Sequence, residues 1–272
     1  MTLGAARVRA LLDGYGLSPS RALGQNFVVD PNTVRRIAAA AGVGPGDHVL
    51  EVGPGLGSLT LALAQVGGRV TAVEVDRHLL APLGEVVADA DPPVQVVHAD
   101  ALEVDLAELL AGAPSWRLAA NLPYNVGTPI LLRILEEAPA VCGGVVLVQR
   151  EVAERMAATP GDGVYGIPSV KVAWWATAAV TGRVPASVFH PRPRVDSALV
   201  TFERREPPGD EALRRRVFAL VDAAFGQRRK MLRRSLAGHR SVEEIEEAGV
   251  ASAARPEELA LADWVRLARW PP

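Results

Sequence analysis

The sequence predicts an α/β fold: a Rossmann-like, largely parallel sheet followed by a small C-terminal α-helical domain. Two observations carry this. From His48 onward, short apolar runs alternate with helical stretches, which is the pattern of successive βαβ units. After the turn-rich Glu206-Pro207-Pro208-Gly209-Asp210 the periodicity is helical throughout. The expected domains are therefore residues 1–206 and 207–272. A chain of 272 residues that is 49% hydrophobic can bury a sizeable core, so a wholly disordered protein is excluded.

Taken in order, Ala5 to Tyr15 has apolar residues at helical spacing and reads as a short helix. Asp30-Pro31-Asn32 looks like a helix start, and Thr33 to Ala41 is an Ala-rich helix stopped by Gly42. Strands are expected at Val49 to Val52, Arg69 to Val75, Val94 to His98, Arg117 to Asn121 and Gly144 to Gln149. Helices fill the intervals, at Leu59 to Gln65, Leu79 to Val87 and Pro129 to Glu137. Two further β-rich stretches, Ser169 to Val180 and Ser197 to Phe202, suit an antiparallel pair at the sheet edge. The C-terminal helices are expected at Glu211 to Ala224, Lys230 to Leu236, Val242 to Ala248 and Leu261 to Arg269.

The net charge of -2 hides an asymmetry. Between Val180 and Arg240 stand 14 Lys and Arg against 6 Asp and Glu, an electrostatic footprint suited to an anionic polymer. The single Cys142 rules out an intrachain disulfide and fits a reducing compartment. Apolar runs all fall short of the ~18 residues that span a bilayer, and Asp13 and Gly14 break the N-terminal segment, so a cytoplasmic protein with no membrane contact is expected. The five histidines lack ligand spacing, so no metal site is expected.

Four strand ends carry ligand chemistry. Glu51-Val52-Gly53-Pro54-Gly55-Leu56-Gly57 lies between the first strand of the alternating region and its helix, where glycines admit a ligand close to backbone and a helix N-terminus offers free N–H groups. One strand later, Glu74 suits a ribose diol. Asp100, followed by Ala101, can accept the exocyclic amine of an adenine. The glycines and Glu74 alone leave a dinucleotide and S-adenosylmethionine (SAM) both open. The fourth end is Asn121-Leu122-Pro123-Tyr124, which suits a flat base bearing an amine. The Asn121 amide oxygen and the Leu122 carbonyl, held outward by Pro123, can accept two N–H groups while Tyr124 stacks. Open α/β sheets bind ligands at this carboxyl edge.

On these residues the chain resembles the ribosomal RNA adenine dimethyltransferase family that modifies 16S rRNA. The resemblance also covers Leu23-Gly24-Gln25-Asn26-Phe27, Asn125, Phe189-His190-Pro191-Arg192-Pro193-Arg194-Val195-Asp196-Ser197, and Ala224 to Arg233. Departures are Val28 where Leu is usual, Arg194 where Lys is usual, and Arg234 where Asn is usual. The resemblance implies a class I SAM-dependent methyltransferase sheet that binds SAM through Asn26, Val28, Gly53, Glu74, Asp100 and Asn121, with Gln25 supporting the same loop. It implies dimethylation at N6 of two adjacent adenines in the 3′-terminal hairpin of 16S rRNA, within the 30S subunit or its precursor. The sequence does not reveal oligomeric state, and a monomer is the expectation.

Tyr124 would stack on one face of the extruded adenine and Phe189 on the other. Arg228, Arg229, Lys230, Arg233 and Arg234 would contact phosphates. Two alternatives stay open: a methyltransferase of an adenine in 23S rRNA, against which Leu122 and the Phe189–Ser197 segment argue, and a non-catalytic ribosome assembly factor. A nicotinamide-dependent dehydrogenase has only the glycine motif in its favour.

Overall fold

The computed structural model describes residues 2–270. In chain order the elements are α1 (Ala5–Gly14), β1 (Phe27–Val28), α2 (Pro31–Ala40), β2 (His48–Val52), α3 (Ser58–Gln65), β3 (Arg69–Glu74), α4 (Leu80–Val87), β4 (Gln95–His98), α5 (Leu106–Leu109), β5 (Trp116–Asn121), α6 (Gly127–Glu137), β6 (Val141–Gln149), α7 (Arg150–Ala157), α8 (Ile167–Trp175), β7 (Ala176–Val184), β8 (Phe189–His190), β9 (Ser197–Arg204), α9 (Glu211–Gly226), α10 (Leu232–Ser235), α11 (Val242–Glu247) and α12 (Leu261–Arg269). The main sheet runs β4-β3-β2-β5-β6-β9-β7. Neighbours from β4 to β6 are parallel, and β9 joins β6 antiparallel. A separate two-stranded sheet pairs β1 with β8, setting Val28 opposite Phe189.

Local chemistry explains the main elements. Central strands are apolar along their length because both faces are covered: Leu118, Ala119 and Ala120 of β5 and Val145, Val146 and Leu147 of β6 are all fully buried. α2 starts where Asp30 accepts hydrogen bonds from the Thr33 amide (2.8 Å) and hydroxyl (2.6 Å), with Pro31 in the first turn where no N–H is needed. The Thr33 hydroxyl holds the Asp30 carboxyl below its usual range. At the far end of α6, Arg204 donates to the carbonyls of Leu135 (2.9 Å) and Ala138 (3.0 Å), which the helix leaves open, and to Val141 of β6 (2.7 Å).

Two expectations need correction. Ile167–Trp175, within the stretch expected to be β, is helix α8, and only from Ala176 does the strand begin. The alternating Val170, Val172 and Trp174 suggest period two, but all three are buried in a helix that is apolar around much of its circumference. Its start is fixed by Pro168 and by Ser169, whose hydroxyl accepts from Gly166 N (3.0 Å) and donates to the Arg155 carbonyl (2.5 Å). The domain division also differs from 1–206 and 207–272. One compact unit runs to Ala153 and resumes over Ala179–Arg204; the other joins Glu154–Ala178 to the chain from Arg205 onward. Val170 and Trp174 share a core with Leu213, Val217, Val221 and Trp264, so the helical unit is assembled from two stretches of chain. Helices α5 and α7 and the small β1–β8 sheet were not anticipated from the sequence.

Gly144 shows how closely the central strands approach. Its φ of 156° and the Leu118 backbone of β5 leave no room for a Cβ. Gly144→Ala is expected to cost more than about 3 kcal/mol, read as a lost or strongly lowered urea midpoint. A midpoint within error of wild type would show that β5 and β6 can part without cost.

Candidate active site

The strand order reverses between β2 and β5, and their carboxyl ends open onto one cavity. It is lined by Gln25, Asn26, Val28, Gly53, Gly55, Glu74, Asp100, Ala101, Asn121, Leu122, Pro123 and Tyr124. The structure thus gathers four strand ends and the loop before β1, which are separated by about a hundred residues of chain.

The floor is the glycine loop. Gly53 and Gly55 have φ of 69° and 59°, and a Cβ on Gly55 would stand 2.9 Å from the Phe27 ring. The Gly55 amide donates to Glu74 Oε2 (3.0 Å) and the Asp76 amide to Glu74 Oε1 (2.9 Å). These bonds aim a carboxyl that is only 3% exposed, and its burial raises its pKa. Asp100 is held through one oxygen, which accepts from Leu102 N (2.8 Å). Arg133 of α6 fixes the turn that follows, donating to the carbonyls of Ala101 and Val104 (both 2.8 Å).

The loop before β1 is stapled at two places. Gln25 donates to Asp76 (2.7 Å) at the end of β3 and accepts from Ser20 N (2.7 Å). Asn121 Nδ2 donates to the Asn26 carbonyl (2.8 Å), and Asn26 Nδ2 to the Gly24 carbonyl (3.0 Å). With its nitrogen committed, Asn121 keeps its amide oxygen free as an acceptor. Leu122 is anchored by a buried side chain and by its amide, which donates to the Leu147 carbonyl (3.1 Å). The Tyr124 hydroxyl lies 2.7 Å from Ser197 Oγ of β9, and burial pushes the phenol pKa up.

Phe189 is a correction. It does not line the cavity: it is 4% exposed and sits in the core with Val28, Val34, Ile37 and Leu199, because pairing of β8 with β1 turns its side chain inward. The basic run divides as well. Arg228 is half-buried and occupied by the Gly163 carbonyl (2.7 Å) and by Glu257 (4.0 Å), whereas Arg229, Lys230, Arg233 and Arg234 are exposed. The last two belong to α10 in the helical unit, so four of the five expected cations are open to a polyanion.

Glu51 was not singled out in sequence, although its place at the head of the glycine motif was a usable signal. It is 1% exposed, lines the cavity, and its Oε2 has no hydrogen-bond partner. Burial, with the Glu74 charge adding to it, pushes its pKa to about 8 from an ordinary 4.5. A carboxyl so raised contributes stability that is full below about pH 4.5 and is lost as pH rises through about 8. Stability of the ligand-free protein is therefore expected to fall across that window, and Glu51→Gln to flatten the fall. Urea unfolding at about pH 5 and about pH 8.5 checks this, and parallel losses in the two proteins would refute it.

The family model described as ribosomal RNA adenine dimethylase matches residues 18–271. Relatives called ribosomal RNA small subunit methyltransferase A include those of Leifsonia xyli, 52% identical over 98% of this chain and 97% of the relative, and Kineococcus radiotolerans, 53% identical over 98% and 90%. Among solved structures, the 23S rRNA methyltransferase ErmE is 29% identical with a TM-score of 0.69, covering 89% of this chain and 98% of its own. A dimethyladenosine transferase from Plasmodium falciparum superposes with a TM-score of 0.72 at 21% identity, over 88% of this chain and 94% of that one, which speaks for the fold. The chain belongs to the ribosomal RNA adenine dimethylase family, with the SAM-dependent methyltransferase fold and chemistry that go with it.

Proposed function

We propose that this protein dimethylates N6 of two adjacent adenines in the 3′-terminal hairpin of 16S rRNA, acting in the cytoplasm as a monomer on the 30S subunit or its precursor. The observation that carries the reading is the single cavity that joins an acid-and-glycine cofactor cradle to Asn121, whose amide oxygen is free, and Tyr124. The residues present fit SAM. Glu74 offers oriented oxygens for a ribose diol, Asp100 keeps one oxygen open for an adenine amine, and the Gly53–Gly55 loop admits close approach of backbone. Asn26, with Gln25 as its brace, Val28 and Ala101 complete that half.

When bound, SAM supplies a methyl group on a sulfonium, a leaving group that needs no protonation. The chain's own task is to hold the acceptor. The Asn121 amide oxygen and the Leu122 carbonyl accept the N6 hydrogens and favour the positive charge that grows on nitrogen during transfer. Pro123 keeps that carbonyl turned outward. The Tyr124 ring stacks on the base, a contact worth ~1–3 kcal/mol. The methylated ammonium is acidic enough to release its proton to water, so no strong base is required. Positioning then supplies most of the rate.

The exposed Arg229, Lys230, Arg233 and Arg234 are assigned to phosphates, which place the RNA without reading its bases. Specificity for one hairpin comes from shape and assembled context. Support for the small subunit over 23S rRNA lies in identities of 52–53% to the small-subunit enzymes against 29% to ErmE. Labelled SAM offered to unmodified 30S and to 50S particles separately distinguishes the two, with label expected in the 30S alone.

Asn121→Ala is expected to lower kcat at least a hundredfold, on the scale of a lost transition-state acceptor. Its SAM affinity should fall only severalfold, through loosening of the Asn26 loop, as read by calorimetry. Normal turnover would remove Asn121 from the reaction. Arg229→Glu with Arg233→Glu should weaken 30S binding and flatten its dependence on salt. An unchanged salt slope would place the RNA elsewhere.

A further inference from the structure

What the Phe189–Ser197 segment brings to Tyr124, a lining residue of the cavity, is not its aromatic ring but its last residue. Ser197 opens β9 opposite Gln149 of β6, is fully buried, and sets its Oγ 2.7 Å from the Tyr124 hydroxyl. Tyr124 follows β5, and β9 lies beyond β6 in the sheet. Neighbouring strands stand ~4.8 Å apart, so the tyrosine side chain reaches across the end of β6 to make this bond.

The turn that carries Tyr124 is held by Leu122 N to the Leu147 carbonyl (3.1 Å), Val126 N to the Pro123 carbonyl (3.3 Å) and Asn125 Nδ2 to the Ala22 carbonyl (3.3 Å). None of these restrains the ring. A ring fixed only at its Cα can swing about χ1; a second anchor at its far end stops that swing, although the oxygen lies on the χ2 axis and does not itself block a ring flip. The anchor is itself secured, since Asp196 accepts from Arg150 N through its carbonyl (3.0 Å) and from Ala186 N through Oδ1 (2.9 Å). Burial keeps the phenol protonated well above neutrality, so the bond persists at ordinary assay pH.

We propose that Ser197 is a positioning residue for methyl transfer: its buried hydroxyl ties down the Tyr124 phenol and turns that ring into a fixed platform for the acceptor base. This rests on the reading of Tyr124 as the stacking residue. If stacking area were all that mattered, the phenol oxygen would be dispensable and phenylalanine would serve as well. The tether makes the oxygen matter and makes its effect depend on Ser197.

The test uses the full-length protein with Tyr124→Phe, Ser197→Ala and the double variant, on unmodified 30S particles. Each single substitution is expected to lower kcat about fivefold, the size of one net hydrogen bond. SAM affinity by calorimetry should stay within twofold, and the double variant should be no worse than either single one. Full turnover in Tyr124→Phe, or losses that multiply in the double variant, would overturn the tether. So would a Ser197→Ala protein that melts lower but turns over normally. A second measurement needs no RNA, because the chain holds only three tyrosines. In labelled protein, Ser197→Ala should let the Tyr124 side chain populate more than one χ1 rotamer, read from three-bond couplings by NMR, and couplings unchanged from wild type would also overturn the tether. An inactive wild type on 30S particles would refute the functional reading while leaving the couplings to decide the tether.

Discussion

The cavity depends on one pairing, that of β2 with β5 as parallel neighbours. Their register sets Glu51 against Ala119, so the glycine loop that leaves β2 and the Asn121 turn that leaves β5 emerge side by side. In sequence these turns lie far apart, and the chain between them goes out to β3 and β4 before returning on the other side of β2. That reversal leaves a crevice at the carboxyl edge that no crossover helix fills. Fully buried central strands hold the pairing, with Leu50, Leu118 and Ala119 removed from water and so little free to slip. A one-residue slip of β5 would turn Asn121 to the opposite face and part its Nδ2 from the Asn26 carbonyl.

Asn121 consequently ties the two halves of the cavity together. Its nitrogen closes the loop that precedes β1, and its oxygen is the acceptor proposed for the base. Under that proposal one amide is divided between a structural and a chemical duty, which makes the cofactor side and the acceptor side mutually dependent. Electrostatics adds a second coupling. Glu51 and Glu74 are both buried in the same cavity, and each is driven toward the protonated form by its desolvation. A ligand that carries a sulfonium and an ammonium supplies the positive charge that such carboxyls lack, whereas an anionic ligand would deepen the penalty.

Much of this was legible in the residues because local and global signals agreed. Strands β2 to β6 and helices α3, α4 and α6 follow from apolar runs and periodicity, and α12 spans Leu261–Arg269 as expected. Asp30 and Pro31 mark the start of α2 by capping chemistry that requires no tertiary partner. The failures share a cause. Val170, Val172 and Trp174 alternate as in a strand, but α8 is buried on several sides, in part by residues of distant α9 and α12, and burial on several sides erases the helical period. The same long-range packing moves Glu154–Ala178 into the helical unit. Phe189 was misjudged because its direction is set by the pairing of two-residue strands, too short to leave a pattern.

Ser197 and Arg228 extend that lesson from fold to site. Side-chain type alone marks an arginine in a basic run as a candidate for RNA, yet Arg228 spends its guanidinium on a carbonyl of its own unit, and its neighbour Arg229 does not. A serine at the end of a motif carries no visible chemistry, yet its hydroxyl is the partner of the ring expected to meet the base. In both cases what counts is which polar atoms are already satisfied. A group with a buried partner fixes geometry, and a group without one remains to meet a ligand. By that criterion the free atoms include the Asn121 oxygen, one oxygen of Asp100 and one of Glu51, together with the four exposed cations. The first three line the cavity proposed to receive SAM and an adenine, and the four cations belong to the helical unit, where the proposed function assigns them to phosphates.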